Sequence, residues 1–138
     1  MGLFRLFDIA SSSMSAQSVR LNTTASNLAN ANTVAGSAAA AYRSRQPVFQ
    51  TVLAGTGPAD AASAGVRVAG VVQAAAEPAR LYEPGHPLAD AEGYVYASNV
   101  NVVDEMVNMI TASRSYENSV EVMNTSKELL LRTLTLGQ

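Results

Sequence analysis

The chain has 138 residues, the size of one ordinary domain, with a formal net charge of −2 and no cysteine. Disulfides, thiolate metal sites and cysteine nucleophiles are therefore excluded. Only 14% of the residues are charged, against about a quarter in an average globular domain. Because no window concentrates Lys or Arg, the composition argues against nucleic-acid binding and offers no basic surface for lipid. No apolar run approaches the ~20 residues that span a bilayer.

The first segment predicts a long helix over residues 3–31. Its seam positions alternate in steps of four and three, the a/d pattern of a coiled coil: Leu3, Phe7, Ala10, Met14, Gln17, Leu21, Thr24, Leu28 and Ala31. Arg20 is the only charge between Ile9 and Thr33, so the other faces are small and polar. Such a helix depends on packing partners for its stability. The apolar stretch before Asp8 is too short for a secretory signal, so we expect no cleaved signal peptide.

The middle of the chain, residues 34–98, predicts a small β-rich insert. Residues 66–68 and 71–72 form short Val-rich runs, and a further strand is expected at 93–96. Residues 54–65, rich in Gly, Ala and Pro, are typical of a loop. Residues 82–87, with two prolines and a glycine, indicate a rigid turn.

Helical periodicity returns at residue 102 and continues to 136. The second seam consists of Val102, Met106, Met109, Ser113, Tyr116, Val120, Met123, Lys127, Leu130 and Leu134. Asn101 is placed to cap this helix, and Asp104 and Glu105 in its first turn favour the helix dipole. The two helices would be about 43 and 50 Å long.

These elements predict a mainly α fold. The long N- and C-terminal helices would pair as an antiparallel coiled coil, with a small β-rich, hairpin-like insert between them. Residues 1–33 and 99–138 would form one discontinuous helical core domain, and residues 34–98 the insert. Apolar residues outside the second seam exceed what one partner helix can cover, which implies neighbouring subunits: Val103, Val107, Ile110, Leu129, Leu131 and Leu136.

The polar residues do not form a recognisable reaction centre. Asn27, Asn30 and Asn32 suit either a polar face with a helix C-cap or hydrogen bonds between subunits, and both readings stay open. The only histidine, His86, lies in the predicted turn and cannot supply a metal site alone. Adjacent carboxylates such as Asp104 and Glu105 point in different directions on a helix. We therefore expect no catalytic residue, no metal and no cofactor.

Several segments resemble the bacterial flagellar rod and hook family, and within it the proximal rod subunits. The general signature is RLNTTASNLANANT at residues 20–33. More specific are YEPGHPLAD at 82–90, GYV at 93–95, NVNVVDEMVNMI at 99–110 and ASRSYE at 112–117. The resemblance covers nearly the whole chain.

The resemblance implies a non-catalytic structural subunit of the flagellar basal-body rod in the periplasm. It would be exported through the flagellar type III apparatus without a cleaved signal and would polymerise with other rod proteins and copies of itself. The residues expected at the helix seam and subunit interface are Leu3, Phe7, Met14, Leu21, Asn27, Leu28, Asn30, Val102, Met106, Met109, Tyr116, Val120, Met123, Leu130 and Leu134.

Two other functional classes rank below this one. A soluble helical adaptor or chaperone of a secretion system would keep the heptads but form a discrete oligomer, whereas a rod subunit makes contacts that do not close. An enzyme would need convergent titratable groups in a pocket, which this sequence scarcely offers.

Overall fold

The computed structural model describes residues 2–53 and 64–136, which form two helices and five strands. The elements in chain order are helix α1 (Gly2–Ala29), strands β1 (Val34–Ala35), β2 (Arg45–Leu53), β3 (Ala64–Gln73), β4 (Ala79–Tyr82) and β5 (Tyr94–Ala97), and helix α2 (Val102–Leu136). The loop expected at 54–65 lies outside the described residues up to position 63, and its last two residues belong to β3.

Asparagine side chains mark the end of α1 and the start of α2. The Asn30 side-chain amide donates to the Ser26 carbonyl at 2.8 Å, which satisfies one of the carbonyls left open at a helix C-terminus. The Asn101 side-chain oxygen accepts from the backbone N–H of Val103 at 3.0 Å and of Asp104 at 3.4 Å. Asn101 is therefore the N-cap of α2.

The two helices run antiparallel and approach each other through small residues. The hydroxyls of Ser13 and Ser119 lie 2.9 Å apart, and the Arg20 guanidinium donates to the Asn108 side-chain oxygen at 3.0 Å. Ser13 precedes Arg20 in α1, whereas the partner of Ser13 follows the partner of Arg20 in α2, so the helices run in opposite directions. Ala112 of α2 is completely buried, and a side chain of this size permits close approach of two backbones.

Strands β2 and β3 form a long antiparallel hairpin that packs along α1. Pairing runs from Arg45–Gln73 to Leu53–Ala64, with a β-bulge between Val48 and Phe49. The backbone N–H of Val66 donates to the Ser12 hydroxyl at 3.2 Å. A methyl group on Gly65 would lie 3.2 Å from the same hydroxyl oxygen, so the ribbon and the helix are in close contact there.

The second sheet has three antiparallel strands in the order β1-β5-β4. Its central strand contains Val95, which is fully buried. On β4, the Arg80 guanidinium lies 4.3 Å from the centre of the Tyr94 ring and 3.2 Å from a Glu92 carboxylate oxygen. The short run expected at 93–96 is the strand β5, shifted by one residue.

The predicted fold class is wrong. The chain is an α+β protein with two antiparallel sheets, not a mainly α coiled coil with a small hairpin-like insert. Ala16 and Thr23 lie outside the predicted seam yet are almost fully buried, because α1 packs against the β2–β3 hairpin as well as α2. Pro47 made a strand over 45–53 difficult to foresee, since proline is tolerated only in edge strands, and both strands of a two-stranded ribbon are edges. The division into a helical core and an insert stays a prediction.

Gly93 occupies the turn that leads into β5 with a positive φ of 82°. A side chain at this φ costs about 1–2 kcal/mol, and a Cβ atom here would also lie 3.1 Å from side-chain atoms of both Pro84 and Tyr82. Glycine is therefore required at this position by both backbone conformation and space.

We predict that Gly93→Ala lowers the free energy of unfolding by about 1–2 kcal/mol or more, measured by chemical denaturation. Gly85→Ala is the matched control, because a Cβ atom at Gly85 meets no atom within 4 Å. Equal effects of the two substitutions would contradict the argument.

The Asp90 carboxylate holds the same turn together. Its Oδ1 accepts from the backbone N–H groups of Tyr94 and Glu92, each at 2.9 Å. The hydrogen bond from Tyr94 is the largest cause that lowers the pKa of Asp90 below its ordinary 3.8, helped by Glu92, the Tyr96 hydroxyl and the charge of Arg80, and opposed by desolvation.

We predict that the stabilising effect of Asp90 depends on pH. Because the folded pKa is lowered, the contribution is present above the unfolded pKa and is lost as pH falls through the folded pKa. Denaturation midpoints measured from about pH 6 down to about pH 2 should fall more steeply for the natural chain than for Asp90→Asn. Glu77→Gln, at an exposed carboxyl, controls for general charge removal; identical pH profiles for the natural chain and Asp90→Asn would refute the prediction.

Candidate subunit-assembly surfaces

Asn27 joins the end of α1 to the start of β2. Its side-chain amide donates to the Arg45 carbonyl at 2.8 Å, and its side-chain oxygen accepts from the Arg45 backbone N–H at 2.9 Å and from the Tyr42 hydroxyl at 3.0 Å. The carboxamide thus pairs with both backbone groups of one residue, as a neighbouring strand would. Asn27 is 1% exposed, and all three of these hydrogen bonds are made within the chain.

Asn99 makes a similar connection at the same end of the hairpin. Its side-chain oxygen accepts from the Ser44 backbone N–H at 2.7 Å, and its amide donates to the Ala76 carbonyl at 2.8 Å. The segment leading into α2 is therefore tied to the residues that flank β2 and β3. Sequence reasoning missed this role, although Asn99 opens the NVNVVDEM motif that carried the family resemblance.

The predicted seam residues fall into several groups. Half-buried positions are Phe7, Met14, Leu21, Leu28, Asn30, Met109, Tyr116, Val120, Met123 and Leu130, whereas Val102, Met106 and Leu134 are exposed. Asn27 is buried, and the side chain of Leu3 lies outside the described part of the chain. The structure thus places most of the seam at the margin of the helix pair, with part of each side chain still accessible.

One side of α2 exposes an aliphatic stripe near the helix start, formed by Val103, Met106, Val107 and Ile110. These residues follow the i, i+3, i+4, i+7 spacing of a single helix face and are between 53% and 67% exposed. The opposite face contains the buried residues Glu105 and Ala112. A contiguous apolar patch of this kind is a candidate contact surface for another protein.

The far end of α2 exposes a second apolar group, the terminal leucines Leu129, Leu131 and Leu134. They are between 49% and 67% exposed. At 100° per residue, Leu131 and Leu134 share one side of the helix, whereas Leu129 lies on the opposite side.

The hairpin contributes a third exposed apolar surface on β2 and β3. Its members are Val48, Phe49, Val52, Leu53, Val71 and Val72, each at least 40% exposed. Helix α2 and the hairpin thus leave apolar surface uncovered.

The clefts provide little chemistry. One of about 350 Å³ lies between α1 and the hairpin, lined by Arg5, Asp8, Ile9, Ser12, Val52, Gly65, Val66 and Arg67. Another of about 340 Å³ is lined by Arg20, Thr24, Arg45, Gln46, Pro47, Phe49, Glu105 and Asn108. Arg20 in the second cleft is hydrogen-bonded to Asn108. Within residues 2–53 and 64–136, no group of His, Asp or Glu side chains is arranged to hold a metal ion.

Neither described helix is long and apolar enough to cross a membrane. The long α2 interrupts its apolar positions with charged residues throughout, including Arg114, Glu117 and Glu121. Most of its exposed large apolar side chains lie toward its two ends, although Val122 near the middle is also exposed.

Comparison with known families assigns both helical ends to flagellar rod proteins. Residues 7–36 match the family described as flagella basal body rod protein, and residues 91–136 match the C-terminal region of the flagellar basal body rod FlgEFG proteins. The first match includes the Asn-rich motif at 20–33, and the second contains the start of α2.

Full-length relatives make the assignment more specific. The chain is 56% identical over 138 residues to the flagellar basal-body rod protein FlgC of Escherichia coli O157:H7 and 54% identical to that of Salmonella typhimurium, with all of each chain covered. The protein of the same name from Buchnera aphidicola of Acyrthosiphon pisum is 37% identical over 140 residues, again over the whole of both chains. The chain therefore belongs to the FlgC family of flagellar basal-body rod proteins, structural components of the motility apparatus, which confirms the resemblance seen in the sequence.

We predict that Asn27→Ala lowers the free energy of unfolding by about 2–3 kcal/mol, because both backbone groups of Arg45 lose their partner in a buried place. Asn32→Ala is the control: Asn32 belongs to the same motif but is exposed, so its substitution should change stability by no more than about 0.5 kcal/mol. Denaturation curves of equal midpoint for the two variants would contradict the role given to Asn27.

Proposed function

We propose that this chain is a non-catalytic subunit that polymerises, with copies of itself and other rod proteins, into the periplasmic drive shaft of the basal body. The supporting observation is the exposed apolar surface on α2 and the hairpin of a chain from a rod family. Contacts through different surfaces of one subunit need not close into a ring, and a helical tube is one outcome of such contacts.

The small interior of the chain supports the same proposal. Among the described residues, the largest side chains that are fully buried are Val95 and Asn27, and the other buried apolar residues are alanines. Burial of apolar surface is the main favourable term in folding. Much of the apolar surface of this chain therefore remains available for contacts with neighbouring subunits.

Export in an unfolded state is compatible with these properties. We propose that the chain passes through the flagellar type III apparatus without a cleaved signal peptide. A chain with no disulfide and a core built from small residues opposes unfolding weakly. The Ser-, Asn- and Thr-rich composition of α1 also lowers its intrinsic helix propensity, so this helix depends on its packing partners.

A non-catalytic role agrees with the chemistry of the clefts. General acid–base or nucleophilic catalysis needs a positioned nucleophile, a base and a group that orients the base. In the cleft beside Glu105, the described polar groups instead hold the helices together, as the Arg20–Asn108 hydrogen bond does. We therefore propose that this cleft belongs to the packing of α1, α2 and the hairpin.

Leu21→Asp and Leu130→Asp should each prevent rod assembly, because a carboxylate at a site covered by neighbouring protein loses its hydration without gaining a partner. The measurement is the presence of rods in purified basal bodies by electron microscopy, together with swimming in soft agar. Asn22→Asp and Asn118→Asp are matched controls at exposed positions of the same two helices, and both should swim.

Two outcomes would overturn this proposal. Normal rods and swimming in both leucine variants would remove the seam from the interface. A purified chain that forms a discrete, closed oligomer in solution, with basal-body rods intact in its absence, would favour the adaptor or chaperone instead.

A further inference from the structure

The cleft of about 340 Å³ formed by the packing of α1, β2 and α2 is lined by two buried polar side chains that have no partner. Glu105 is 6% exposed and Thr24 is 4% exposed. Among the residues that the structure describes, neither the Glu105 carboxylate nor the Thr24 hydroxyl makes a hydrogen bond or an ion pair. A buried polar group without a partner is costly, so these two open acceptors lower the stability of the fold.

The two side chains lie at the same level of the helix pair. Arg20 of α1 donates to Asn108 of α2 at 3.0 Å. Thr24 lies about one turn beyond Arg20 along α1. Glu105 lies about one turn before Asn108 in α2, which is the same direction because the helices are antiparallel. The hydroxyl and the carboxylate therefore reach the same part of the cleft from opposite sides.

The two arginines that line the cleft are engaged with other groups. The Arg20 guanidinium is hydrogen-bonded to Asn108, and the Arg45 guanidinium lies 5.6 Å from the centre of the Tyr42 ring. Within residues 2–53 and 64–136, no ion pair joins Glu105 to either arginine. Each guanidinium has further N–H donors. The cleft thus offers donors from the arginines and acceptors from the two buried side chains.

On this basis, and resting on the proposed rod function, we propose that the cleft binds the carboxamide side chain of an Asn or Gln from a neighbouring rod protein. A carboxylate repels an anionic group and two guanidinium groups repel a cationic one, which leaves a neutral group that both donates and accepts. A primary carboxamide has two N–H donors and one carbonyl acceptor. Its donors match Glu105 and Thr24, and its carbonyl oxygen matches the remaining N–H groups of Arg20.

The number of open acceptors favours a side-chain carboxamide over a backbone peptide group. A peptide group has one N–H and would leave either Glu105 or Thr24 without a donor. Within the chain, Gln46 also lines the cleft. Gln46 is exposed, however, and its carboxamide makes no hydrogen bond to Glu105 in the described part of the chain. The carboxamide that fills the site therefore comes from another molecule.

Titration of the full chain with small amides tests the site directly, with the backbone N–H signals of the residues around the cleft followed by NMR. Acetamide should shift these signals to saturation. N,N-dimethylacetamide has the same carbonyl but no N–H, so it should bind about tenfold more weakly through the loss of hydrogen bonds to a charged group. N-methylacetamide, with one N–H, should lie between them. In Glu105→Met, the preference for acetamide should disappear.

Glu105→Met also separates recognition from a structural role. Because the substitution removes a buried carboxylate that has no partner in the chain, the denaturation midpoint should stay the same or rise. Basal bodies from cells that carry this variant should nevertheless lack rods, since the site has lost its charged acceptor. Glu121→Met, at an exposed carboxyl of the same helix, is the matched control and should give normal rods and swimming.

Equal binding of acetamide and N,N-dimethylacetamide, or no shift with either, would overturn the site. Tighter binding of N-methylacetamide than of acetamide would overturn the side-chain carboxamide as its occupant. A lower denaturation midpoint of Glu105→Met would reveal a partner within the chain and would count equally against the proposal. The proposed function is judged separately, by Leu21→Asp. If Leu21→Asp cells lack rods while Glu105→Met cells swim, the rod function stands and the carboxamide site does not.

Discussion

The pairing of the Asn27 carboxamide with the backbone of Arg45 connects the two halves of this fold. Helix α1 ends two residues later, and β2 begins at Arg45 itself, so this one buried side chain fixes the start of the hairpin against the end of α1. Asn99 repeats the arrangement with Ser44 and Ala76. Together the two asparagines hold the hairpin between the end of one helix and the lead into the other.

Polar anchoring of this kind compensates for an interior that offers little hydrophobic stabilisation. Among the described side chains of the two helices, the buried apolar residues are Ala10, Ala16 and Ala112, and alanine contributes much less apolar area than leucine or phenylalanine. Satisfied hydrogen bonds define one arrangement of helix and hairpin, because a buried amide without partners is costly. The larger apolar side chains lie outside, where other subunits can cover them.

The distribution of apolar residues therefore has one physical explanation. A monomeric protein would bury Val103, Ile110 and Leu131 in its own core, whereas here they are exposed at the ends of α2. The low proportion of charged residues has the same explanation, because charged residues are depleted at the centre of an interface. In a rod subunit, apolar contacts between subunits supply part of the stabilisation that the core of a single domain usually supplies.

The two long helices, the Asn101 cap and the family itself could be read from residues 1–33 and 99–117, because helix periodicity, capping and motif spacing are properties of neighbouring residues. The sequence also indicated, from the surplus of apolar residues on the second helix, that further partners exist. The α+β class could not be derived in the same way, since it depends on the pairing of 45–53 with 64–73 and on the second face of α1 that this ribbon covers. The burial of Asn27 and the role of Asn99 were likewise decided only in three dimensions. Each depends on a contact between residues far apart in the chain, and local pattern carries no information about which distant segment will fill a given face.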